Sequence, residues 1–165
     1  MGLTDLETQI VDRLKSRLTN IQVEPYPDRP AEYKLLHPTG AVLVHYQGSR
    51  YGKRRATDAV VQERRLEFGI TVMARHLRVH TGAYAILDSV CAILTGWKPA
   101  GYGKVYPLSD GFLSEDTGIW QYQMSFAVDS VNVEIAEEEQ KVLLTKLTFT
   151  NPEYGDFDAV NKEGE

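Results

Sequence analysis

Period-two alternation is clearest between Arg65 and Arg75. Leu66, Phe68, Ile70, Val72 and Ala74 fall on one side, and Arg65, Glu67, Thr71, Met73 and Arg75 on the other. Successive strand residues point to opposite faces, so this is the pattern of a half-buried strand, placed over 61–75. Trp120, Tyr122, Met124, Phe126 and Val128 alternate in the same way and predict a second long strand after the turn at Asp116-Thr117-Gly118. Val42, Leu43, Val44 and Tyr46 predict a strand bounded by Gly40 and Gly48. Shorter strands are expected at 21–24 and 104–113.

Two stretches change period to that of a helix. Leu6, Ile10, Val11, Leu14 and Leu18 share one face of a helix near 5–19, and Thr4 with Glu7 has the spacing of a capping box. Ala83, Ile86, Leu87, Val90, Cys91 and Leu94 give a second helix near 81–95 its apolar face, with Gly96 and Pro99 to end it. Between the first strand and the next, the proline-rich PYPDRP (25–30) is an irregular connector. The order α-β-β-β-α-β-β implies an α+β domain over 1–134, an antiparallel sheet with two helices packed on one face. Residues 135–165 read as an acidic C-terminal extension: EEEQ is a solvated run, VLLTKLTFT a strand or docking segment, and the remainder mostly disordered.

The chain is 165 residues long, with 42% apolar and 25% charged residues, which is the make-up of one soluble globular domain with a real core. Its single cysteine, Cys91, excludes an internal disulfide and fits a reducing compartment. No secretory signal pattern or membrane-length apolar run is visible, so a cytosolic site of synthesis and no membrane partner are expected. The net charge of -5 is unevenly spread. From Gly48 to Arg65 six basic residues meet two acids, whereas from Asn132 onward nine acids meet three lysines.

Catalytic constellations are not found. Gly48-Ser-Arg-Tyr-Gly52-Lys53 is one residue short of a phosphate loop and has Arg54 where the magnesium-holding hydroxyl would stand. Gly101-Tyr-Gly103 lacks the third glycine of a dinucleotide site. His76 and His80 are four apart but fall at a strand-to-helix junction without a third ligand, so no metal is expected. His37 and His45 have no acid at a telling spacing, and Cys91 reads as a buried, inert thiol. No nucleophile has a visible base. The expectation is a protein without enzymatic activity or cofactor.

What remains is a long basic β-hairpin loop, 48–60, with Arg50, Lys53, Arg54 and Arg55, followed by Arg64 and Arg65, and only Asp58 as a near acid. It could be a solvated loop, a contact for a phosphate backbone, or a salt-bridging surface for an acidic neighbour. The extension supplies one such neighbour in Glu137, Glu138 and Glu139, with Leu143, Leu144, Leu147 and Phe149 as docking residues. A contact of this kind between copies is head-to-tail, and such contacts close into rings.

The run HPTGAVLVHYQGSRYG (37–52), the run RRLEFGITVMARHLRVHTGAYAILDSVCAILTGWKP (64–99), the connector EPYPDRP and GKVYPLSDGFLSEDTGIWQYQMSFAV (103–128) together resemble the tail terminator proteins of Mu-like contractile-tailed phages and prophages. The resemblance covers about 3–133. It implies an α+β subunit of a hexameric ring that caps the head-proximal end of the tail tube. Such a ring stops tube and sheath polymerisation and offers a surface to neck or head-completion proteins. It further implies a virion protein assembled in the bacterial cytoplasm, with the loop 48–60 facing the lumen or the adjoining subunit. There its arginines could touch passing DNA without reading sequence. The alternatives are another head–tail joining (neck) component, or a nucleic-acid-binding module that uses the basic loop.

Overall fold

The computed structural model describes residues 2–136, 148–151 and 155–158. The chain divides into two compact units, Met1–Glu134 and Ile135–Glu165. The first contains α1 (Leu3–Arg17), β1 (Gln22–Pro25), a 3-10 turn at Pro30–Glu32, β2 (Gly40–Tyr51), β3 (Val61–Ala74), α2 (Ala83–Leu94), β4 (Val105–Asp116) and β5 (Ile119–Val133). Its five-stranded sheet has the order β1-β2-β3-β5-β4. The α+β class is the one the periodicity implies. Pairing is antiparallel from β2 to β4, and the short edge strand β1 adds to β2 in parallel.

Both helices lie on one face. Leu6, Ile10, Val11 and Leu14 of α1 and Ala83, Ile86, Val90 and Leu94 of α2 pack on Val42, Val44, Leu66, Phe68, Ile70, Val72, Met124, Phe126 and Val128 of the sheet. Full burial of each large side chain contributes about 1.5–3 kcal/mol, so this layer is what holds the unit together. The capping box does not form. Gly2, extended at φ -99° and ψ 171°, takes the cap position and the helix starts at Leu3, where that side chain packs against the core. Thr4 is thereby inside the first turn, and its carbonyl accepts from the Thr8 hydroxyl at 2.8 Å.

The C-terminal half of β3 is not half-buried. Gly69–Ala74 and, on β2, Gly40–Val44 are buried throughout. The reason is the connector, which crosses the face opposite the helices. Leu35, with Tyr26 and Tyr33 beside it, covers Ala41, Leu43 and Met73, and Thr71 is shut in nearby at 4% exposure. Farther along that face the His45 imidazole lies over Gly69, where an added Cβ would come within 2.4 Å of it. Tyr26 flanks the imidazole with ring centroids 5.0 Å apart. Its Nδ1 is buried without a hydrogen-bond partner, and burial lowers the His45 pKa from 6.5.

Other boundaries move. β2 runs past Gly48 to Tyr51 with an irregularity between Tyr46 and Gly48, so the loop proper is 52–60, not 48–60. Cys91 is partly exposed, its Sγ 3.7 Å from the Thr95 hydroxyl, and so is not the buried thiol expected from the helix face. In the second unit β6 (Thr148–Asn151) and β7 (Gly155–Asp158) pair antiparallel, so 155–158 is strand where disorder was expected. Phe149 falls in β6; Glu137, Glu138, Glu139, Leu143, Leu144 and Leu147 lie outside the described residues.

Two outcomes are expected. A chain lacking 135–165 should unfold in one cooperative transition at a temperature close to that of the full chain, measured by circular dichroism. Because folding lowers the His45 pKa, the unfolded state binds the extra proton. Stability should therefore be flat above about pH 6.5 and fall as the pH drops below it, and His45→Gln should flatten that slope.

Candidate functional site: the basic end of the β2–β3 hairpin

Beyond Leu66 and Val128 the sheet outruns its helices. β2, β3 and β5 continue as a three-stranded ribbon whose end is the loop 52–60. The loop is shaped by backbone bonds from Gly52 N–H to the Glu63 carbonyl (2.8 Å) and from Arg55 N–H to that of Val61 (2.9 Å). Glu134 ties it to β5. Its N–H donates to the Val60 carbonyl (2.9 Å), and its carboxylate accepts from Val60 N–H (2.8 Å).

Strand alternation sorts the ribbon into two sides. Ser49, Tyr51 and Arg64 continue the side that carries the helices. There Arg64 Nε donates to Ser49 Oγ at 3.0 Å, and the guanidinium sits 5.4 Å from the Tyr51 ring centroid. On the opposite side Arg50, Arg65 and Asp129 stand abreast in register. With Arg55, Glu63 and Val131 they line an open groove of about 510 Å³. Arg50 Nε lies 3.2 Å from Glu67 Oε1, Arg65 Nε lies 3.8 Å from Asp129 Oδ1, and Arg55 pairs with Glu63. Asp129 also accepts from the Tyr106 hydroxyl at 3.2 Å, and partial burial together with this carboxylate raises the phenol's pKa.

Three of the six basic residues are therefore compensated by acids of their own chain. Glu63 was already among the two acids counted between Gly48 and Arg65; Glu67 and Asp129 were the residues sequence reasoning missed. Only the strand register puts Glu67 and Asp129 beside Arg50 and Arg65, and Asp129 comes from a strand more than sixty residues away. Arg54 is exposed and braces its own loop, with Nε and Nη2 donating to the Ala56 and Thr57 carbonyls at 2.9 and 3.0 Å. Lys53 and Arg54 form no ion pair among the described residues. What the arrangement can do is present charge at the hairpin tip. Among the described residues no three His, Cys, Asp or Glu side chains come close enough to hold a metal ion, and no helix is long and apolar enough to cross a membrane.

A family model for the Gp37 protein matches residues 10–151. The chain belongs to the Gp37 family. The Gp37 match runs past the 3–133 stretch on which the tail-terminator resemblance rests and takes in β6. Among solved structures, a chain described as "Virion of native gene transfer agent (GTA) particle" shares the fold. Its TM-score is 0.52 at 14% identity, covering 77% of this Gp37 family chain and 95% of the other. No curated protein matches the sequence.

Since the Arg55–Glu63 and Arg65–Asp129 pairs are exposed on both sides, Arg55→Ala and Arg65→Ala should each change unfolding free energy by less than about 1 kcal/mol in urea titrations.

Proposed function

We propose that this chain is a structural subunit of a phage-like virion, a tail terminator whose ring caps the head-proximal end of the tail tube. The observation that carries the reading is the fold shared with the gene transfer agent virion chain, which is covered over 95% of its length. Membership of the Gp37 family and the sequence resemblance to Mu-like tail terminators support it. The shape of the first unit suits a ring. Its long sheet ends in the loop 52–60 on one side and in the Asp116–Ile119 turn on the other, so two unlike ends are available for head-to-tail contact.

In such a ring the tip residues Lys53 and Arg54 face the lumen or the adjoining subunit. Arg50, Arg55, Arg64 and Arg65, each already engaged within the chain, stiffen the ribbon that carries them. The extension, with Glu137, Glu138 and Glu139 ahead of Leu143, Leu144, Leu147 and Phe149, is a tether to tube, sheath or neck. Phosphate contacts from a lumenal tip would be weak, salt-sensitive and indifferent to sequence.

Electron microscopy of particles from a strain lacking the gene tests the assignment. Over-length, headless tails are expected, because tube growth would have lost its stop. Tails of normal length that fail only to join heads would place the protein in the neck instead. Intact particles would overturn both.

A further inference from the structure

The β4 side of the β4–β5 hairpin is poorly covered, and its chemistry is unlike that of the basic ribbon. Nearly every residue of β4 after Val105 is exposed, and β4 is the sheet's outer strand. Asp110, Phe112 and Glu115 stand opposite Met124, Tyr122 and Trp120, which places all three on the side that carries the helices. Phe112 is 56% exposed and packs edge-on to Tyr122 at 5.6 Å and tilted against Trp120 at 6.2 Å. Tyr84 of α2 extends the cluster through Tyr122 at 6.1 Å. Aromatic faces bordered by carboxylates favour guanidinium and ammonium groups, by ring quadrupole and by charge. Arg78, its guanidinium 5.9 Å from the Tyr84 ring centroid, already uses one edge of the cluster in this way.

On this face Glu115 is held in place rather than consumed, its carboxylate accepting from Gly118 N–H at 2.8 Å; at the turn Asp116, on the other side of the strand, accepts from the Thr117 hydroxyl at 2.9 Å. Neither of these acids, nor Asp110, forms an ion pair among the described residues. Backbone pairing along β4 is disfavoured, because register breaks at Leu108 and Leu113 interrupt its edge. A partner would be held here through side chains.

The complementary surface is on the same chain and cannot reach. β3 and β5 pair in register from Val61–Val133 to Ala74–Trp120, so the basic loop and the Thr117–Gly118 turn stand at opposite ends of strands roughly 45 Å long. We propose that the acidic, aromatic face of the β4–β5 hairpin receives the basic β2–β3 tip of a second copy of this chain. Lys53 and Arg54 of one copy meet Asp110, Glu115 and the Phe112–Trp120 faces of the next. The contact is heterologous, with one donor end and one acceptor end per chain, as a closed ring requires. It rests on the ring-forming reading for its place in a particle, but the association itself is measurable without one.

Sedimentation velocity of the purified full-length chain tests it. The wild type should self-associate, with an affinity that falls as salt rises. Lys53→Glu/Arg54→Glu and Asp110→Lys/Glu115→Lys should each weaken association about tenfold or more, while circular dichroism stays native. An equimolar mixture of the two variants, and the chain carrying all four reversals, should regain it. The milder Asp110→Asn/Glu115→Gln should weaken association and reduce its salt dependence, which keeps the test open if a lysine variant misfolds. A wild type that stays monomeric, or folded reversals that neither weaken alone nor restore together, would overturn the contact. Over-length tails from the deletion strain would leave the terminator assignment standing in that case.

Discussion

β3 lies at the centre of a layered unit: helices cover one face of its inner half, and the connector 26–39 covers the other. A strand dry on both sides cannot leave backbone donors or acceptors unpaired without a penalty of about 1–3 kcal/mol each. It must be flanked by full-length partners, and β2 and β5 serve that role. Burial also pins the register. A slip of one residue would send Phe68, Ile70 and Val72 to the connector side and Thr71 into the helix layer. The far ends of β3 and β5 inherit that register, including the alignment of Arg65 with Asp129, and the irregularity between Tyr46 and Gly48 then sets Arg50 opposite Arg65.

Charge is the second organising feature. A basic loop read along the chain suggests strong field and ready contact with phosphate. Folded, the ribbon places an acid against three of its arginines and leaves the tip as the place where charge faces outward. Exposed pairs of this kind contribute little to stability. Their effect is to hold long side chains in one arrangement, so that a partner meets a preformed surface and fewer rotamers are lost on contact.

The proposed role is one of assembly, where shape and self-complementarity matter more than reactive groups. The two ends of the sheet differ in both charge and aromatic content. A chain with unlike ends associates directionally, whereas like ends would favour a two-fold dimer. That asymmetry is what would link the packing of one strand to the ring proposed above.

Sequence alone determined the local elements, because each depends on side-chain period. The two helices, the alternating strands β3 and β5 and the turn before β5 all follow from spacing between near neighbours. Tertiary structure decided what depends on distant residues meeting. The connector's burial of Met73 and Thr71, the parallel addition of β1 and the pairing of Arg65 with Asp129 have no periodic signature, since a strand's far face is covered by whatever the fold brings there. The same holds for Glu115, which joins Asp110 and Phe112 on one side of an edge strand only because the irregularity at Leu113 shifts its register against β5. Periodicity reports which side of an element is apolar; only the packed chain decides what that side, and the one opposite, will touch.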